Sequence, residues 1–129
     1  MNEELIYQAI EMQKVSEETE SQLSFVNEQI ADLKNFKQNL LELSKSQTEE
    51  ILAPLGRGVY VKSKITDNRL FVEAGAGVVV RKTPIEAVKV IEDQIQKFSQ
   101  ASIHLLEQLE NYKQSFGQLL AEFKESQKS

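Results

Sequence analysis

From Val88 onward the apolar residues recur at alternating steps of three and four: Val88, Ile91, Ile95, Phe98, Ser102, Leu105, Leu109, Tyr112, Phe116, Leu119 and Phe123, with Ser102 the one polar member. A roughly 3.5-residue repeat held that long makes a seam for another helix, because the apolar stripe of an ordinary surface helix drifts around its axis. The N-terminal segment carries a matching stripe of Leu5, Ala9, Met12, Ser16, Thr19, Leu23, Val26, Ile30, Leu33, Lys37 and Leu40, interrupted at Ser16, Thr19 and Lys37. The two stripes predict an α+β, mostly α chain: a long antiparallel two-helix coiled coil whose partner helices lie in the same chain, with short β-hairpins between them.

Punctuation residues divide the sequence. The first helix is expected over 2–52, ending ahead of Pro54, since proline disfavours helical geometry in the residue before it; Gly56 and Gly58 then complete the break. At Val59 the period changes to two, with Val59, Val61 and Ile65 on one face and Tyr60, Lys62 and Lys64 on the other. Thr66-Asp67-Asn68-Arg69 reads as a turn into a second strand, Leu70–Ala74, and Gly75-Ala76-Gly77 as a reversal before Val78-Val79-Val80-Arg81-Lys82. The second helix, expected over 84–126, has a sharply written start: Thr83 as N-cap, Pro84 in the first helical position and Glu86 to complete a capping box. Gly117 should weaken that helix without ending it.

Opposing a and d positions across the two stripes selects layers whose residue numbers add to 135, such as Val26 with Leu109, Leu40 with Ile95 and Met12 with Phe123. This register sets Lys37 against Phe98 and Leu33 against Ser102, placing two polar breaks in adjacent layers. A shift of one heptad is the rival arrangement.

The 129 residues make one domain's worth of chain, 1–129, but drawn out along long helices they cannot bury a large core of their own, so stability should depend on partners. The strand segment, 56–82, is the expected assembly module. Val59, Tyr60, Val61, Ile65, Leu70, Phe71, Val72, Val78, Val79 and Val80 put apolar groups on both faces of strands too short to be stable alone.

Charge is unevenly distributed. Residues 1–55 hold four Lys against eleven acids, residues 56–83 six basic side chains against two acids, and residues 84–129 five Lys against seven acids. Acidic helices argue against a nucleic-acid grip, which needs clustered Lys and Arg. The basic centre fits strand edges that carry cations to block unwanted pairing. With no cysteine, no disulfide or thiolate metal site is possible. The absence of a signal-like start and of any long apolar run predicts a soluble, cytoplasmic chain with no membrane contact.

No catalytic, metal or cofactor site is expected. His104, the single histidine, falls at an outward heptad position with no second ligand near it in sequence. The glycine triplets 56–58 and 75–77 are too short for phosphate loops, and Glu17-Glu18 and Glu49-Glu50 are charge runs whose side chains diverge on a helix.

The centre of the chain resembles one family. Pro54-Leu55-Gly56-Arg57-Gly58-Val59-Tyr60-Val61-Lys62, then Val72-Glu73-Ala74-Gly75-Ala76-Gly77, then Val80-Arg81-Lys82-Thr83-Pro84 with Glu86-Ala87, are similar to the strand and glycine signature of prefoldin alpha subunits, in the archaeal form and in eukaryotic prefoldin subunit five. The likeness covers residues 54–87, and the helices match as heptad patterns of suitable length. The resemblance implies a non-enzymatic, ATP-independent chaperone without cofactor. It also implies a hexamer of two alpha and four beta-type subunits, whose hairpins form a β-barrel platform and whose coiled-coil ends hold unfolded client proteins for a group II chaperonin.

Apolar residues left over at the helix ends fit that implication. Ile6, Tyr7, Ile10 and Leu120 lie off the seam, beside Leu5, Met12, Phe116, Leu119 and Phe123 on it, and one helix pair cannot bury them all. A fraying helix end that simply keeps a broad apolar face is the plain reading of the same residues. A coiled-coil structural adaptor that uses the hairpins only to oligomerise is the competing function, and the helices should offer little further exposed apolar surface away from their ends.

Overall fold

A computed structural model describes residues 2–45, 50–67 and 69–128. In chain order the elements are α1 (Asn2–Lys45), β1 (Glu50–Gly56), β2 (Val59–Lys64), β3 (Leu70–Glu73), β4 (Val79–Lys82) and α2 (Pro84–Lys128). Two antiparallel hairpins, β1–β2 and β3–β4, form separate two-stranded sheets, and the described residues of the single chain close no barrel. The chain divides into two compact units. One comprises Met1–Asp32 with Ile95–Ser129, the other Leu33–Gln94.

The heptad stripes lie where their spacing puts them. Every a and d residue from Leu5 to Leu40 and from Val88 to Phe123 is buried or half-buried, while most of the intervening positions are exposed. Thr19, an interruption in the stripe, is among the most buried side chains, because its hydroxyl donates to the Val15 carbonyl at 2.8 Å and leaves its methyl for the seam.

The register is one heptad away from the layers adding to 135. In the first unit Leu5, Ile6, Ala9 and Ile10 meet Leu119, Leu120 and Phe123, and the Ser102 hydroxyl donates to Asn27 Oδ1 at 3.0 Å. In the second unit Leu40 packs with Ala87 and Val88, and Lys37 Nζ lies 3.3 Å from Glu92 Oε1. Each unit thus follows layers adding to about 128, which face Val26 with Ser102 and Leu40 with Val88. The shift matches a difference in α1: helix is expected to residue 52, whereas α1 spans Asn2–Lys45, about one heptad less, and Glu50–Gly56 is strand. The observed register also separates the polar breaks: Ser102 and Lys37 each find a polar partner on the facing helix, so the pairing of adjacent polar layers does not occur.

β1 exists because its backbone has a partner. Ile51 pairs with Ser63, Leu52 with Lys62 and Ala53 with Val61, and the missing N–H of Pro54 is tolerated beside a register shift between Pro54 and Gly56 at the hairpin end. Arg57 and Gly58, with φ of 52° and 79°, supply the two consecutive left-handed residues of a tight hairpin turn. Gly56-Arg57-Gly58 is therefore the turn of the first hairpin, and the strand region begins at Glu50 instead of residue 56. The expected turn at 66–69 does not pair β2 with β3. It is a link in which Asp67 Oδ1 accepts from the Arg69 N–H at 2.9 Å; Asn68 lies outside the described residues. The second reversal is as expected, with the Ala74 N–H donating to the Val78 carbonyl at 2.8 Å. Ile65 and Val78 flank their strands without belonging to them.

The start of α2 follows the capping-box reading. The Glu86 N–H donates to Thr83 Oγ1 at 3.2 Å, and Glu86 Oε1 accepts from the Thr83 N–H at 3.4 Å and from its hydroxyl at 3.0 Å. These bonds, the hydroxyl first, hold the Glu86 carboxyl below the usual carboxylate range. α2 then continues through Gly117 to Lys128, and a methyl group added at Gly117 would meet nothing.

Crosslinking, urea unfolding and the pH dependence of stability check this fold. Val26→Cys with Ser102→Cys should form a disulfide readily under mild oxidation, whereas Val26→Cys with Leu109→Cys should not; gel mobility reads the result. Gly117→Ala should raise stability by about 1 kcal/mol in urea unfolding, from helix propensity alone. Thr83→Ala should cost about 1 kcal/mol. Because the Glu86 pKa is depressed in the fold, its contribution is complete above the unfolded value and fades as pH falls through the folded one. The stability gap between the parent chain and Glu86→Gln should therefore be constant near neutrality and close below the ordinary glutamate range.

Candidate functional site

Two surfaces stand out, one in each unit. The first is a groove of about 170 Å³ at the free ends of the helices, lined among the described residues by Leu5, Ile6, Ala9, Ile10, Leu119, Leu120 and Phe123. Its floor is seam: Leu119 is buried and Leu5 and Phe123 are half-buried. Its rim is off the seam, with Ile6 47%, Ile10 59% and Leu120 45% exposed. Helix geometry explains the rim, since Ile6 and Ile10 are four apart on one face and stand beside the a/d stripe. Of the nine residues expected at the tip, six line the groove. Tyr7, the most exposed of the nine, Met12 and Phe116 do not, and Ala9 joins it.

The second surface is the strand module. Every residue of β1 and β2 is exposed except half-buried Ala53 and Ser63, so Ile51, Leu52, Leu55, Val59, Tyr60 and Val61 all face water in the single chain. The second hairpin alternates: Leu70, Val72 and Val80 are half-buried, while Phe71 and Val79 are exposed. Leu70 packs against the cluster of Leu40, Ala87 and Val88. Opposite Phe71 in the ladder stands Arg81, whose guanidinium lies 5.0 Å from the ring centroid and is also paired with the Asp67 carboxylate. The Arg69 N–H, with Arg81 beyond it, holds the Asp67 carboxyl below the usual range. One cation thus covers an exposed ring and ties β4 to the link between the hairpins.

Sequence reasoning missed two features. A groove of about 560 Å³ lies in the second unit between the helices and the second hairpin, lined by Phe36, Leu40, Leu43, Leu70, Val72, Val90 and Ile91 among others. It arises from the docking of β3 and β4, which no helical pattern encodes. The helices also expose more apolar surface away from their ends than expected, at Phe25, Phe36, Ile103 and Leu106. The three-residue spacing of Ile103 and Leu106, outside the stripe, was the available signal.

Among the described residues no group of three His, Cys, Asp or Glu could hold a metal ion, and no helix is long and apolar enough to cross a membrane. His104 is exposed, with Nε2 3.2 Å from Gln108 Nε2.

A family model described as Prefoldin subunit matches residues 12–129. Prefoldin subunit alpha of Methanococcoides burtonii is 31% identical over 113 residues, spanning 86% of this chain and 79% of that protein. Prefoldin subunit alpha of Pyrococcus horikoshii is 28% identical over 102 residues, spanning 77% and 69%. In fold, the chain is similar to the cryo-EM structure of filamentous PFD from Methanocaldococcus jannaschii, with a TM-score of 0.73 at 22% identity over 93% of this chain and 98% of that one.

The groove's floor and rim should respond differently to substitution. Leu119→Ala should lower stability by about 2 kcal/mol or more, as loss of a buried seam side chain does, while Ile6→Ser should stay within about 0.5 kcal/mol. Equilibrium urea unfolding of both variants distinguishes the two.

Proposed function

The chain belongs to the prefoldin family as an alpha-type subunit, and from that premise we propose that it acts in an ATP-independent holdase, capturing unfolded proteins at the free ends of its coiled coil. Family membership supports a chaperone-type, non-enzymatic role in general. The observation that carries the finer reading is the distal groove, whose rim residues Ile6, Ile10 and Leu120 stay open to solvent beside a seam that has already been filled. Holding an unfolded segment requires such area, worth about 25 cal/mol for each Å² removed from water.

In this reading 1–129 is one prefoldin-like domain with two roles. The hairpins, the first exposed on both faces and the second on one, join those of beta-type subunits in a shared β-barrel platform, in a hexamer of two alpha and four beta-type chains. Two-stranded sheets are marginal alone, and an exposed apolar edge favours pairing, so the physical requirement of the strands agrees with assembly. Transfer of the held client to a group II chaperonin, and residence in the cytoplasm, extend the family premise to this chain.

A coiled-coil adaptor would use the hairpins in the same way, and breadth of binding separates the two. A chain trimmed to residues 16–112 loses the groove and keeps every strand. Mixed with a beta-type subunit, it should assemble to the same mass by light scattering, yet suppress aggregation of several unrelated denatured proteins less well than the full chain. Undiminished suppression by the trimmed complex would move the client site away from these helix ends. Failure of the full-length complex to suppress aggregation of any client, with one folded protein bound instead, would favour the adaptor.

A further inference from the structure

The two walls of the distal groove differ in charge. Over residues 2–20, α1 carries Glu3, Glu4, Glu11, Glu17, Glu18 and Glu20 against Lys14 alone, and all seven are exposed. Over residues 113–128, α2 is nearly balanced, with two glutamates and three lysines. Among the described residues no ion pair engages any of the six α1 carboxylates.

Their placement around one ring is specific. Tyr7 is 67% exposed, and its neighbours on the helix surface are Glu3 and Glu4 in the turn before, with Ile10 and Glu11 in the turn after. An exposed aromatic face is therefore bordered by three carboxylates and by one residue of the apolar rim. Glu3 and Glu4 also lie in the first turn of α1, where acids favour the positive end of the helix dipole. That effect fades within one turn and gives no reason for Glu11.

We propose that this groove selects unfolded segments in which apolar residues are flanked by Lys or Arg. The apolar side chains fill the groove between Ile6, Ile10 and Leu120, while the cation lies over Tyr7 among Glu3, Glu4 and Glu11. The occupant follows from charge complementarity with an apolar site, and the inference rests on the reading of the groove as the client site. Acidic segments meet the same carboxylates as repulsion. Each contact is solvent-exposed and individually weak, so selection comes from their sum and is screened by salt.

The test uses the full chain and three unstructured, fluorescein-labelled peptides with the same Leu and Phe residues, flanked by Lys, by Gln or by Glu. Fluorescence anisotropy at low salt should give a Kd about tenfold lower for the Lys peptide than for the Glu peptide, with the Gln peptide between them. The gap should shrink toward unity near ~1 M salt, where the Debye length is only about 3 Å. The triple variant Glu3→Gln, Glu4→Gln, Glu11→Gln should lose the discrimination and keep its affinity for the Gln peptide. Glu11→Gln alone, outside the first turn, should lose part of it with unchanged helical circular dichroism, which guards against fraying in the triple variant. Equal binding of the Lys and Glu peptides, or discrimination that survives both variants, overturns the selectivity while leaving client capture in place. If the Gln peptide does not bind, or binds Ile6→Ser, Ile10→Ser as well as the parent chain, the groove is not a client site and both readings fall.

Discussion

Within each unit, what the rest of the structure depends on is the interlocking of a and d side chains between α1 and α2. Helices of 44 and 45 residues have little intrinsic reason to stay formed in water without an apolar face to bury, and here that face is one narrow stripe on each. Register then determines everything off the stripe. With Leu5 and Ala9 meeting Leu119 and Phe123, Ile6 and Ile10 come beside Leu120 and form a groove. One heptad away, Met12 would meet Phe123 and the same rim residues would no longer stand beside Leu120.

Three of the polar residues inside the seam are each reconciled in a different way. Thr19 returns its hydroxyl to the backbone of its own helix, Ser102 donates across to Asn27, and Lys37 reaches Glu92 at the edge. No buried side-chain polar atom among the described residues lacks a partner. Exposed pairs such as Ser102 with Asn27 and Lys37 with Glu92 contribute little stability, and they belong to the observed register, since a shift of one heptad separates both pairs.

The strands work by the opposite logic. A heptad seam is satisfied inside the chain, whereas β1 and β2 leave apolar groups exposed on both faces and leave strand edges open. Such a hairpin is marginal alone, and in the proposed assembly its partners come from other subunits. The Arg81 contact with Phe71 and Asp67 covers the one ring of the second hairpin without removing it from solvent.

The helices, their seam residues, the capped start of α2 and the leftover apolar side chains at the helix ends were legible in the sequence, because each depends on spacing along one helix or on three adjacent residues. β1, the register and the basal groove were not. Ile51, Leu52 and Ala53 satisfy a helical pattern as readily as a strand, and what makes them strand is the ladder to Val61, Lys62 and Ser63, a non-local set of hydrogen bonds. With α1 spanning Asn2–Lys45 and β1 beginning at Glu50, the layers lie one heptad from those expected, although both registers match a with d equally well. Local chemistry therefore determined what each segment can be, while the choice between two equally patterned pairings was made only by the tertiary contacts that each pairing allows.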